Sequence, residues 1–108
     1  MSVTDAMTYL CDLSDLEEAR PRRIKPDGHD PIAVCRVGEA VYAVADTCSH
    51  GMASLSEGDV EGTVIYCPFH GGAFDLRSGE AVEKPCTIPI RRYDVQVENG
   101  GIFARINS

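Results

Sequence analysis

Two cysteines and two histidines of this 108-residue chain arrive as two mixed pairs, Cys48-Ser49-His50 and Cys67-Pro68-Phe69-His70, sixteen residues apart. Thiolate and imidazole are both good ligands for iron and for zinc, so the four side chains point to one metal site made by two loops. Glycine follows each pair, Gly51 after the first and Gly71-Gly72 after the second. Backbone without a Cβ can approach a bound group closely and aim amide N–H groups at it.

The order within the pairs decides between metals. Zinc fingers built from two cysteines and two histidines pair like with like and sit partly on a helix. Here each pair is mixed and the flanks read as strand. The pattern Cys-x-His…Cys-x-x-His is what a Rieske [2Fe–2S] centre needs, where two cysteines hold one iron and two histidines the other. A Cys and a His one or two residues apart let a single tight loop reach both irons. A zinc-stabilised interaction module is the alternative from another functional class.

The elements that must position these loops read as mainly β. Met7 to Leu13 is a short apolar stretch suited to an edge strand. Ser14 and Glu17 form a capping box, with one helical turn over Leu16–Ala19 before Pro21 ends it. Arg22 to Lys25 is extended, Pro26-Asp27-Gly28 is a turn, and Pro31 to Val37 is a strand. Gly38-Glu39 turns that strand into Val41–Ala45, which runs directly into the first ligand loop. Between the loops, Ser56–Asp59 reads as a polar turn and Thr63–Tyr66 as a strand ending at Cys67, with Tyr66 in the core by alternation. Phe74–Leu76 is extended and Arg77–Glu80 a hairpin turn. Glu83 to Pro89 carries two prolines and cannot be a central strand, so it reads as a loop crossing back toward the metal site. Ile90 to Glu98 alternates cleanly, with Tyr93, Val95 and Val97 on one face. Asn99-Gly100-Gly101 turns the chain into a closing strand, Ile102–Ile106.

Composition sets the outer bounds. A chain of this length is one domain, 1–108, with a small core. It has no apolar run long enough for a membrane span, and its N-terminus lacks the pattern of a signal peptide. Of five cysteines, Cys11, Cys35 and Cys86 are left after the metal site, too few for a disulfide framework, which suits a cytoplasmic protein. Ten basic against seventeen acidic side chains, net −7, argue against nucleic acid and against an anionic membrane surface. Glu57, Asp59 and Glu61 read as a solvated acidic face, and His29, in a turn, as exposed. No nucleophile–base pair and no substrate pocket can be found.

Taken together, these residues resemble the small Rieske-type ferredoxins of bacterial aromatic-ring dioxygenase systems. The likeness runs from Leu13-Ser14-Asp15-Leu16 through the Ile32–Val34 and Val41–Val44 strands and both ligand loops to the final hairpin. It implies an antiparallel β base with a small cluster-binding β subdomain, about residues 46–87, inserted in it. It implies one [2Fe–2S] cluster, with Cys48 and Cys67 on the buried iron and His50 and His70 on the iron nearer the surface. Met52, Leu55, Phe69 and Pro85 would wall the cluster from water. The role implied is that of a monomeric one-electron carrier, not an enzyme. It would pass electrons from an NAD(P)H-dependent, flavin-containing reductase to a terminal oxygenase. The small Rieske-type subunit of an assimilatory nitrite reductase shares the same loops and is the alternative.

Departures from the respiratory branch of the family bear on redox potential. That branch carries an extra cysteine in each loop, joined as a disulfide; Ala53 and Phe69 stand there in this chain. It also places a Ser and a Tyr after the second histidine as donors to cluster sulfur, where this chain has Gly72 and Phe74. Fewer donors stabilise the reduced cluster less, so the expected potential lies at the low end of the Rieske range, near roughly −150 mV.

Overall fold

The computed structural model describes residues 7–48, 53–68, 72–84 and 88–106. Among these residues eleven strands, named β1 to β11 in chain order, form three antiparallel sheets. The strand Ile32–Val37 (β3) is the hinge between two hydrophobic cores. Successive side chains of a strand point to opposite faces. Ala33 and Cys35 therefore enter one core, and Ile32 and Val34 the other. All four are fully buried, which is why this strand reads as an unbroken apolar run.

The central sheet has the order β2 (Arg22–Ile24), β3, β4 (Ala40–Ala45), β9 (Arg92–Tyr93). β3 and β4 pair over their whole length, from Ile32↔Ala45 to Val37↔Ala40. A second sheet joins β1 (Thr8–Asp12), β11 (Gly101–Ala104) and β10 (Val95–Glu98), with β1 at the edge as its sequence suggests. The third sheet, β5 (Val60–Glu61), β6 (Val64–Tyr66), β7 (Ala73–Asp75) and β8 (Ala81–Glu83), is made wholly of chain lying between β4 and β9. Its apolar face, with Ile65 and Phe74, and Leu76 just after β7 share one core with Ala33, Cys35 and Val44 of the central sheet.

Four local expectations are corrected. The helical turn over Leu16–Ala19 does not form; a 3-10 turn over Leu13–Asp15 precedes it, where Asp15 Oδ2 accepts the Asp12 amide at 3.1 Å. Leu16 is drawn into the core and Ala19 takes φ +56. The Glu18 carboxylate instead accepts the Gly38 amide and Arg36 Nη1, tying this segment to the β3–β4 turn. The alternating run Ile90–Glu98 is split between two sheets. Tyr93 pairs with Ala43 in the central sheet, and after Asp94 the chain pairs with β11. Tyr66 is only half-buried, and Ile65 beside it is the core residue. His29 is half-buried as well: its ring stands edge-on to Tyr93, centroids 5.8 Å apart, and Nδ1 lies 2.8 Å from the Asp30 carbonyl oxygen.

Candidate metal centre

Each sequence-predicted cysteine sits at the base of its own hairpin loop. β6 and β7 pair up to Tyr66↔Ala73, and the ladder then closes with the Cys67 amide donating to the Gly72 carbonyl at 2.7 Å. The first loop is built the same way. Thr47 bridges Ser54, and the Cys48 amide donates to the Ala53 carbonyl at 3.0 Å. The two bonds bracket residues 49–52 and 68–71, four residues each. His50, Met52, Phe69 and His70 fall within those brackets; these four and Pro85 lie outside the described residues.

Cys48 and Cys67 are 2% and 6% exposed and belong to the same hydrophobic core, together with Ala53, Leu55 and Phe74. Leu55, expected to wall the site, is fully buried there. A compartment of this kind keeps water from the two sulfurs and leaves them in a medium of low dielectric. Among the described residues, no group of three or more His, Cys, Asp or Glu side chains offers a competing metal site.

Sequence reasoning missed the residue that holds the first loop. Asp46 is the buried charged side chain among the described residues, 1% exposed, and it stands two positions before Cys48. Its Oδ1 accepts the Ser56 amide at 2.8 Å, and Oδ2 accepts the Ser54 hydroxyl. Arg23 on β2 approaches Oδ2 at 3.5 Å. The Asp46 main chain adds two bonds, its amide to the Pro31 carbonyl at 3.0 Å and its carbonyl from the Leu55 amide at 2.7 Å. A buried carboxylate needs its lone pairs occupied, and here every partner is a donor. The signal in the sequence was an acidic residue closing an apolar strand; its partners, eight to ten residues on, gave no sign of themselves.

Residues 6–94 match the family model described as the Rieske [2Fe-2S] domain. The chain belongs to the Rieske [2Fe–2S] family. Ferredoxin CarAc of Metapseudomonas resinovorans is 47% identical over 94 residues, which cover 87% of this chain and 88% of that protein. The ferredoxin component of the p-cumate 2,3-dioxygenase system of Pseudomonas putida is 43% identical over 110 residues, 100% and 92% of the two chains. A chain from the complex of reduced oxygenase and oxidized ferredoxin in carbazole 1,9a-dioxygenase superposes with a TM-score of 0.88, at 44% identity and 93% coverage of both. A nitrite reductase small subunit from Mycobacterium tuberculosis has a TM-score of 0.84 at 22% identity, over 94% of this chain and 96% of that one, which is a likeness of fold alone. Family membership makes the cofactor one Rieske-type [2Fe–2S] cluster and overturns the zinc alternative. The donor set fits: two buried thiols at the bases of two matched loops, each loop carrying one histidine in its sequence.

Proposed function

We propose that this Rieske protein is the ferredoxin component of an aromatic-ring dioxygenase system, a one-electron carrier and not a catalyst. The observation that carries the reading is the combination of matched cysteine hairpins with full-length likeness to ferredoxin components of such systems. Cys48 and Cys67 would hold one iron, and His50 and His70 the other. A cluster with those ligands accepts and releases a single electron at a potential above that of an all-cysteine ferredoxin.

The chain's own residues supply the surroundings. The apolar core around Cys48 and Cys67 excludes water, and the hairpin bonds hold each loop base rigid. Exposed Glu57, Asp59, Glu61 and Glu83 lie in the segments that flank the loops in sequence. They give an encounter surface for partners with positive patches. Those partners would be a flavin-containing NAD(P)H-dependent reductase as donor and a terminal oxygenase as acceptor. A carrier that docks twice works as a monomer, in the cytoplasm where its partners are. Among the described residues no helix is long and apolar enough to cross a membrane.

The test is analytical and then functional. Purified protein should be coloured, hold two irons and two labile sulfides per chain, and lose or destabilise the cluster on His50→Ala. It should restore oxygenase turnover when mixed with a purified dioxygenase-type reductase and oxygenase. A colourless protein, or a loaded one that supports nitrite reduction instead, would overturn the proposal.

A further inference from the structure

The two ligand hairpins are separate loops, and a cluster shared between them needs one fixed separation. The link between them is short. Ser54, Leu55, Ser56 and Glu57 leave the first hairpin as a 3-10 turn over Leu55–Glu57, and Gly58 ends it, donating its amide to the Leu55 carbonyl at 3.0 Å. One end of this segment is fastened to the strand before Cys48. Asp46 takes the Ser54 hydroxyl, the Leu55 amide and the Ser56 amide, and Ser54 and Ser56 hydroxyls stand 2.9 Å apart. The other end abuts the strand before Cys67. A Cβ on Gly58 would overlap the Tyr66 carbonyl oxygen, and the next residue, Asp59, accepts the Tyr66 amide at 2.8 Å.

Gly58 has φ −93 and ψ −176, extended backbone that any residue adopts. Its requirement for glycine is therefore one of space and not of backbone freedom. The place where space is lacking is the peptide that joins Tyr66 to Cys67. We propose that residues 54–58 are a spacer that sets the separation of the two ligand hairpins. Gly58 is its contact point on the second hairpin and Asp46 its anchor on the first. This rests on the cluster reading above; Gly58 and Ser54 are positioning residues and touch no metal.

Gly79 provides a control for overlap with a carbonyl oxygen, and its φ of +83 adds a backbone strain on substitution that Gly58 does not have. It lies in the β7–β8 turn, at the end of β7 away from the Cys67 hairpin, and a Cβ there would overlap the Ile90 carbonyl oxygen. Gly58→Ala must push the Tyr66–Cys67 peptide, and Gly79→Ala must push Ile90.

Iron and sulfide content, electron paramagnetic resonance of the reduced cluster, midpoint potential and rate of cluster loss should be measured on the parent and both variants. Gly58→Ala is expected to shift the g-values and the potential of the loaded fraction and to lose its cluster several-fold faster. Gly79→Ala, even with an equal or larger fall in melting temperature, should keep parental g-values. Ser54→Ala, which creates no overlap and loosens the other end of the spacer, should broaden the resonance and speed cluster loss, and it decides the matter if Gly58→Ala does not fold. Parental g-values and cluster lifetime in Gly58→Ala, or in Ser54→Ala where Gly58→Ala is not obtained, would overturn the spacer. So would a shift in Gly79→Ala as large as that in Gly58→Ala. A parent without iron and sulfide would instead remove the cluster reading itself.

Discussion

Cys48 and Cys67 make the same backbone bond: each donates its amide to the carbonyl oxygen five residues on, Ala53 at 3.0 Å and Gly72 at 2.7 Å. The loops differ in the position of the histidine, third residue of one motif and fourth of the other, but not in the frame that holds the cysteine. The frames are supported differently. The second is an extension of the β6–β7 ladder, while the first is a single bridge beyond which Asp46 does the holding.

That difference gives the first prediction. Asp46→Ala leaves the Ser54 hydroxyl, the Ser56 amide and Arg23 without their acceptor, where loss of a charged acceptor in a buried site costs on the order of 2–4 kcal/mol. Urea unfolding should show a loss of that size, and chelator challenge should strip the cluster faster. A change below about 0.5 kcal/mol, the size of an ordinary surface substitution, would mean Asp46 does not hold the loop.

The family, the strand β3 and the hairpin β3–β4 were legible because each depends on neighbours in sequence: the spacing of cysteine and histidine, an apolar run, a Gly-Glu turn. The break at Asp94 was not, since polar and apolar residues go on alternating through it. Only the choice of partner strand changes there, Ala43 for Tyr93 and Ala104 for Val95. The helical turn at Leu16–Ala19 failed for a related reason. Local capping chemistry favoured it, but burial of Leu16 and the long-range bonds of Glu18 to the β3–β4 turn outweighed one turn of helix. Gly58 looked like turn chemistry, and its close approach to Tyr66 is visible only in three dimensions.

Burial raises the Cys35 thiol from its ordinary value of 9.0 to about 11, with Glu18 adding to the effect. Folding thus favours the protonated thiol. Its contribution to stability is fully present below pH 9 and is lost as pH rises through 11. Unfolding midpoints of Cys35→Ala measured from pH 7.5 to 11 should start lower than the parent's, because a buried side chain has been shortened, and then fall less steeply. Burial raises Cys11 too, so Cys11→Ala with Cys35→Ala should be flatter still. Parallel curves for parent and variants would dismiss the buried thiols as the alkaline weak point.

Redox tuning supplies the third prediction. Phe74 is fully buried in the core that holds both cysteines, and the Gly72 carbonyl caps the Cys67 amide. Hydroxyl groups introduced by Gly72→Ser with Phe74→Tyr would be donors in a low-dielectric compartment, where they favour the electron-rich reduced cluster. Voltammetry should find the midpoint of the double variant above the parent's. An unchanged or lower midpoint in a fully loaded variant would reject hydrogen bonding as the reason for a low potential.

Electrostatic steering gives the last. Glu57, Asp59 and Glu61 are exposed, and the Asp59 carbonyl is bonded to Tyr66, so the acidic run lies against the strand that enters the Cys67 hairpin. Glu39, also exposed, stands in the β3–β4 turn at the far end of β4 from the Cys48 hairpin. A six-residue strand separates the two ends, and at roughly 3.3 Å per residue it spans about 17 Å, more than the ~8–10 Å over which charges are felt at physiological salt. Reduction by the proposed reductase, followed by stopped-flow absorbance, should therefore slow as salt rises. Glu57→Gln with Asp59→Asn should be slower than the parent at low salt and less sensitive to added salt, while Glu39→Gln follows the parent. If Glu39→Gln loses as much rate as the double variant, the effect belongs to net charge and not to a face beside the hairpins. If none of the three responds to salt, docking does not use these carboxylates at all.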